Sequence, residues 1–128
     1  MGLGTQDGGG GIALIGYGAI AEMHADALAA LGVTPATVAG PNAAEAEAFA
    51  LRRGIPSWGT DVTAAIEDPR VGAVILATPS PVHADQAAIA LRAGRHVLVE
   101  IPLALSSAEG ESLVQLARDA GLVLSVCH

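Results

Sequence analysis

The motif with the clearest chemistry is a run of small residues near the N-terminus, Gly16-Tyr17-Gly18-Ala19-Ile20-Ala21. It matches the pattern Gly-x-Gly-x-x-Gly/Ala, in which the first glycine permits a tight turn and the second lets a diphosphate approach the backbone. The diphosphate then lies on a helix N-terminus, where free amide groups and the helix dipole favour negative charge. In a chain with 16 glycines the pattern alone is weak evidence, and a plain tight turn in a flavodoxin-like domain is the alternative.

Around this turn, short apolar runs alternate with longer segments of helical period, and Gly or Pro stands at most junctions. The runs that predict strands are Ile12–Ile15, Ala36–Ala39, Ser57–Trp58, Val71–Ala77, His96–Val99 and Leu122–Cys127. The segments that predict helices are Gly18–Leu31, Asn42–Arg53, Thr60–Asp68, Ser80–Gly94 and Ser106–Ala120. Strands that are apolar on both faces and joined by crossover helices form a parallel, doubly wound sheet. We therefore predict an α/β fold, a single three-layer Rossmann domain of about six strands.

Local signals predict where several helices begin. Asn42 is a suitable N-cap for the second helix, and Ser106 with Glu109 three residues later forms a capping box for the fifth. Ser80 as N-cap, with Pro81 at the first helical position, predicts the start of the fourth helix. The glycine-rich residues 1–10 predict a flexible leader, so residues 11–128 are the predicted dinucleotide-binding domain.

Composition restricts the class of protein. The 128 residues suit one domain, and the net charge of −7, with no lysine, argues against a nucleic-acid partner. The single cysteine, Cys127, excludes an internal disulfide. Neither a basic leader nor an apolar run of about 20 residues is present, so we expect a cytoplasmic protein that does not enter a membrane. Four histidines without cysteine-pair spacing do not predict a metal site.

The end of the second predicted strand bears on the choice of cofactor. An acidic residue at this position commonly binds the ribose of NAD, and an arginine accommodates the 2′-phosphate of NADP. Here the chain has Gly40, Pro41 and Asn42 instead. Asn42 could bind a ribose hydroxyl, although capping its own helix is favoured. The absence of positive charge gives a slight preference for NAD over NADP.

Two longer stretches are more specific than the glycines. The fourth strand leads into Thr78-Pro79-Ser80-Pro81-Val82-His83, and the fifth lies within Ala93-Gly94-Arg95-His96-Val97-Leu98-Val99-Glu100-Ile101-Pro102. With the glycine turn, they resemble the N-terminal domain of the Gfo/Idh/MocA oxidoreductase family over nearly the whole chain. The resemblance implies an NAD(P)-binding domain of an enzyme that takes hydride from a hydroxyl or hemiacetal carbon of a small polar substrate.

The resemblance also implies roles for individual residues. The pyrophosphate would be lined by Gly16, Tyr17, Gly18, Ala19 and Ile20. Thr78, Pro79 and His83 would lie along the ribose and nicotinamide side. Glu100 and Pro102 would border the nicotinamide, with a cis bond before Pro102.

One position departs from the family pattern, because the family's Glu-Lys-Pro reads Glu100-Ile101-Pro102 here. The family lysine assists proton transfer from the reacting hydroxyl, and this chain has no lysine to do so. The Glu-Ile-Pro-Leu-Ala sequence is similar to the branch of 4-carboxy-2-hydroxymuconate-6-semialdehyde dehydrogenases, which oxidise a cyclic hemiacetal with NADP in aromatic catabolism. That branch binds the 2′-phosphate with a Ser-Arg pair where this chain has Gly40 and Pro41.

The histidines offer the remaining candidates for proton transfer. His83 is the candidate catalytic base, and a hydrogen bond to local backbone is an equally good interpretation of this residue. His24, in the first predicted helix, is assigned a structural role in preference to a catalytic one.

Several functional hypotheses stay open. Family members carry a second domain that contacts substrate and forms the oligomer interface, and this chain ends where that domain is expected to begin. We therefore expect either part of a longer dehydrogenase or a self-standing domain, inactive alone, for which a homodimer is plausible. The alternatives are a non-catalytic dinucleotide-binding or assembly module and, less favoured, a flavodoxin-like domain that binds a mononucleotide.

Overall fold

The short apolar segments form six parallel strands in one sheet, with the order β3-β2-β1-β4-β5-β6. The computed structural model describes residues 9–127, so most of the predicted leader (residues 1–8) and His128 lie outside the described residues. The strands are β1 Gly11–Ile15, β2 Thr37–Ala39, β3 Trp58–Gly59, β4 Val71–Leu76, β5 His96–Glu100 and β6 Leu124–Cys127. This order is that of doubly wound dinucleotide-binding sheets and differs from the flavodoxin order 2-1-3-4-5. The prediction of a Rossmann fold is confirmed.

Five α-helices connect the strands, and their starts follow the local capping chemistry. They are α1 Ala19–Ala30, α2 Ala43–Arg53, α3 Val62–Glu67, α4 His83–Arg92 and α5 Ser107–Ala120. Asn42 and Ser106 cap α2 and α5 as predicted, since their side chains accept the amides of Glu45 and Glu109 at 3.0 and 3.2 Å. A capped helix begins at a defined residue, which fixes the loops that precede it.

The core consists of two apolar layers, one on each face of the sheet. On one face, α1 and α2 bury Ala21, Ala25 and Phe49 against the sheet. On the other, α3, α4 and α5 bury residues such as Ile66 and Leu91. Small alanines on α1 let this helix lie close to the strands, which brings its N-terminus to the carboxyl ends of β1 and β4.

The predicted start of the fourth helix is wrong. A single 3-10 turn spans Ser80–Val82, the α-helix begins at His83, and the Ser80 side chain makes no capping hydrogen bond. The extended residue before the turn is Pro79, with φ −61° and ψ 146°, so the turn begins at Ser80, one residue before the predicted first helical position. Pro79 has no side-chain acceptor, and Pro81 still lies in the first turn, where the missing amide of a proline is tolerated.

Candidate dinucleotide-binding site

The predicted site residues lie at one edge of the sheet, because each stands at or just after the carboxyl end of one of four neighbouring strands. The ends of β2, β1, β4 and β5 are consecutive in the sheet. Residues 40–42, 16–20 and 78–83 follow the first three of these ends, and residues 100–102 begin at Glu100, the last residue of β5. Open α/β sheets bind ligands in the crevice at this edge. The structure therefore brings together every predicted site residue, although the chain separates them by up to 86 positions.

The two glycines of the turn have different surroundings. Gly16 is buried with a φ of +110°, and a Cβ there would overlap the carbonyl of Ala77. Gly16 is thus required by the fold itself. Gly18 is exposed, with a φ of −88° that any residue adopts, and a Cβ there would meet no atom within 4 Å. Within the described residues, nothing in the protein requires a glycine at position 18.

The turn also places a helix N-terminus at the open edge. Gly18 is the N-cap residue of α1, and no side chain caps this helix end. Ala19 and Ile20, the first residues of α1, are exposed. The first amides of a helix have no intrahelical partner, so an external anion can accept their hydrogen bonds. The other predicted pyrophosphate residues thus surround an uncapped, accessible helix end.

At the end of β2, Tyr17 covers the backbone. A Cβ on Gly40 would overlap the Tyr17 ring, and the Tyr17 hydroxyl accepts the Asn42 amide at 2.8 Å. The Asn42 side chain accepts the Glu45 amide, so the oxygen considered for a ribose hydroxyl caps α2 instead. Pro41, like Asn42, is exposed. The end of β2 therefore presents an aromatic ring and amide groups, and none of residues 40–42 has a charged side chain.

The carboxylate in the first turn of α1 is neutralised by arginines from α2. Glu22 accepts from Arg53 Nη2 and Arg52 Nη2, both at 2.6 Å, and Arg53 also binds Asp26 at 2.7 Å. The Arg53 hydrogen bond, with a smaller one from Arg52, lowers the pKa of Glu22 below its usual value. These ion pairs link α1 to α2 and reduce the charge that an incoming diphosphate would meet.

The loops after β4 and β5 are tied together through His83. This side chain is 1% exposed. Its Nδ1 lies 2.9 Å from the carbonyl oxygen of Pro102, and its Nε2 lies 2.5 Å from that of Thr78. Both ring nitrogens therefore face main-chain oxygens that accept hydrogen bonds, which favours a structural role for His83 over proton transfer to a substrate.

The other predicted residues of these loops are more accessible. Thr78 is half-buried and donates its hydroxyl to Gln86 at 2.6 Å, and Pro79 and Pro102 are exposed. The peptide bond between Ile101 and Pro102 is cis, as the family resemblance implies.

Sequence reasoning missed one group of side chains on the face that α1 covers. His24 Nε2 and Glu100 Oε2 are 2.7 Å apart, and Cys127 lies beside them. Burial, together with the neighbouring Glu100 carboxylate, raises the pKa of the Cys127 thiol. The available signal was the spacing of His24, which stands three residues after Ala21 and four before Leu28, on the stripe of α1 that faces the sheet.

Known proteins with the same sequence pattern are oxidoreductases. Residues 11–128 match the family model described as an oxidoreductase family with an NAD-binding Rossmann fold. The chain is 42% identical over 118 residues to 4-carboxy-2-hydroxymuconate-6-semialdehyde dehydrogenase of Sphingobium sp. strain SYK-6. The match covers 91% of this chain and 38% of that protein, so the chain spans little more than a third of the relative's length. Within residues 9–127, none of the helices has the length and apolar character needed to cross a bilayer.

Solved structures agree with this match. Biliverdin reductase from Synechocystis sp. PCC 6803, in complex with biliverdin and NADP+, is 34% identical, with a TM-score of 0.84 over 91% of this chain and 37% of that one. GenD2 from gentamicin A biosynthesis, in complex with NAD, is also 34% identical, with a TM-score of 0.85 over 91% of this chain and 33% of that one. The match of sequence, fold and site identifies the chain as an NAD(P)-binding domain that belongs to the Gfo/Idh/MocA oxidoreductase family.

Proposed function

We propose that this domain binds a nicotinamide dinucleotide with its diphosphate on the N-terminus of α1. The proposal rests on Gly18. Its φ is one that any residue adopts and no atom lies within 4 Å of a Cβ there, so the fold itself does not require a glycine. A glycine is explained if a ligand has to approach the backbone within the volume that a Cβ would fill.

A substitution that suits the fold but opposes the ligand tests this proposal. Aspartate is a favoured N-cap residue and stabilises a helix N-terminus, so Gly18→Asp preserves α1. Its carboxylate would occupy the diphosphate position and repel the negative charge. In calorimetric titrations with NADH and NADPH, we expect the wild-type chain to bind and Gly18→Asp to lose at least about 100-fold in affinity, about 2.7 kcal/mol.

The control applies the same substitution at a glycine outside the site. Gly110 lies in α5, and a Cβ there also meets no atom within 4 Å. Gly110→Asp is expected to bind as the wild type does. Equal affinity in wild type and Gly18→Asp, with both chains folded by circular dichroism, would contradict the proposal.

NAD is the proposed preference over NADP. The residues that follow β2 have no cationic side chain, and Tyr17 covers the main chain of Gly40. Arg52 and Arg53, on the neighbouring helix α2, are paired with Glu22. A 2′-phosphate at this corner would lose its water without gaining a counter-charge. Tighter binding of NADPH than of NADH in the same titrations would overturn this preference.

For the full-length protein we propose oxidation of a hydroxyl or hemiacetal carbon, with hydride transfer to the dinucleotide. Such a reaction needs a substrate positioned about 3–3.5 Å from the nicotinamide, and this domain supplies one side of that site. Similarity to the Sphingobium enzyme makes 4-carboxy-2-hydroxymuconate-6-semialdehyde the first substrate to test. The formation of NADH from NAD with this compound would support the assignment, whereas a full-length protein that binds NAD without turnover would exclude this substrate.

A non-catalytic binding module is the second candidate, because of Ile101. Where the family has a lysine, this chain presents an apolar side chain that is 54% exposed. An isoleucine cannot exchange a proton, so catalysis would need another group. The two candidate functions predict different dehydrogenase activities for the Ile101→Lys variant of the full-length protein. Dehydrogenase activity that appears only in this variant would establish the module, and activity in the wild type would establish the enzyme.

A further inference from the structure

Three potential metal ligands meet on the face of the sheet that α1 covers. His24 comes from the second turn of α1, and Glu100 and Cys127 are the last residues of β5 and β6. One ligand atom from each residue lies within 4.8 Å of the other two. The strands pair Glu100 directly with Cys127, so the sheet holds these two side chains on the same face.

The donor atoms are those of a zinc-class site. An imidazole nitrogen, a carboxylate oxygen and a thiolate sulfur together suit Zn²⁺, whereas Mg²⁺ and Ca²⁺ require oxygen ligands. Bond lengths of about 2.0–2.3 Å place tetrahedral ligand atoms about 3.3–3.6 Å apart. The 2.7 Å between His24 Nε2 and Glu100 Oε2 would therefore open by less than about 1 Å. The Cys127 Sγ, which lies within 4.8 Å of the other two ligand atoms, would come to about 3.5 Å from them.

The cluster is both supported and accessible. Neighbouring Ala21 and Ala25 of α1 are buried, which fixes the helix that carries His24. The side chains of His24 and Glu100 are 14% and 24% exposed, so one side of the cluster faces solvent. Three protein ligands with an open fourth position are the arrangement of zinc sites that also take water or a ligand.

We propose that His24, Glu100 and Cys127 form a three-ligand binding site for a zinc-class divalent cation. The site uses none of the residues of the glycine turn, but it includes Glu100, one of the residues predicted to border the nicotinamide. It would place a Lewis acid at the carboxyl end of β5, beside the loop that contains Pro102.

Cobalt is the spectroscopic probe for this site. A chain freed of metal with a chelator is titrated with Co²⁺, and a thiolate ligand gives a sulfur-to-cobalt charge-transfer band. Since the chain has one cysteine, a charge-transfer band from a thiolate of the same chain must arise from Cys127. We expect an equimolar amount of Co²⁺ to produce the band and Zn²⁺ to abolish it by displacement.

Single substitutions test whether each of the three residues is a metal ligand. We expect Cys127→Ser to lose the band, and His24→Ala and Glu100→Gln to weaken Co²⁺ binding by about tenfold or more. His96→Ala, at the opposite end of β5, is the control and is expected to keep both the charge-transfer band and the wild-type affinity for Co²⁺. The absence of a band in folded wild-type chain, or Zn²⁺ binding by Cys127→Ser as tight as that of the wild type, would overturn the proposal.

Discussion

The two halves of the carboxyl edge are built by different interactions. In the first half, at the ends of β1 and β2, the geometry comes from main-chain turns, Gly16 and the capping of α2 by Asn42. In the second half, at the ends of β4, β5 and β6, it comes from side chains distant in sequence. His83 contacts Pro102, 19 positions along the chain, and His24 contacts Glu100, 76 positions along the chain.

From this difference we expect different tasks for the two halves. A main chain that presents amides at fixed positions suits the diphosphate and adenosine part of a dinucleotide, which is common to all such ligands. Side chains that meet only in the folded protein can shape the nicotinamide side, where reactions differ between relatives. Variants of the first half should therefore affect every adenosine diphosphate ligand, and variants of the second half only those that carry nicotinamide.

The largest effect is expected for Gly16→Ala, in the first half. A φ of +110° is strained for alanine, and its Cβ would overlap the carbonyl of Ala77, the residue after β4. We expect a loss of about 2–4 kcal/mol in the free energy of unfolding, measured by urea titration. Gly18→Ala, where the φ is ordinary and the space is empty, is the matched variant, with an expected loss below about 1 kcal/mol. Equal losses would show that the first half does not depend on its main-chain geometry.

A smaller loss of stability, with a change in ligand binding, is expected for His83→Ala in the second half. The substitution leaves a cavity and removes the ring N–H that donates to a main-chain carbonyl, which together cost about 2–3 kcal/mol. Without the tie between the loops after β4 and β5, affinity for NADH should fall about tenfold, whereas affinity for ADP-ribose should be unchanged.

Paired calorimetric titrations of His83→Ala with NADH and ADP-ribose measure the loss of affinity for each ligand. Equal losses for the two ligands would contradict the division of tasks between the halves. If the full-length protein has the proposed dehydrogenase activity, we expect His83→Ala to lower turnover by disturbing the loops, and an unchanged rate would remove His83 from the mechanism.

The sequence predicted the first half of the edge and most of the fold because their determinants are local. The glycine turn, the Asn42 cap and the apolar runs each act over a few residues, and the observed strands differ from the predicted ones by no more than two residues at either end. The contact between His24 and Glu100 depends on how α1 rotates over the sheet, which no local signal fixes. The Ser80 prediction failed by one residue, because Pro79 takes the extended position before the turn and Ser80 is the first residue of the turn.

A more modest effect is expected for Tyr17→Phe. The substitution keeps the ring over Gly40 but removes the hydroxyl that accepts the Asn42 amide at 2.8 Å. Since this amide is exposed and can bind water instead, the loss of stability should be about 0.5–1 kcal/mol in urea titration. Affinities for NADH and ADP-ribose should change together, because the residue lies in the first half. A loss confined to NADH would place Tyr17 on the nicotinamide side.

The smallest effect on stability is expected for a substitution of Glu22. Its carboxylate links α1 to α2 by accepting hydrogen bonds from Arg53 and Arg52. Its pKa is lowered in the folded chain, so the stability that it contributes is fully present above the unfolded value of about 4.3 and decreases as pH falls below it. Because these groups are partly exposed, the contribution should stay below about 1 kcal/mol. Glu22→Gln should therefore lower stability at pH 7 and have a smaller effect at pH 3, as measured by urea titration at each pH. Glu47→Gln, on the exposed side of α2, is the control, and an equal pH dependence in the two variants would show that the α1–α2 ion pairs do not stabilise the first half.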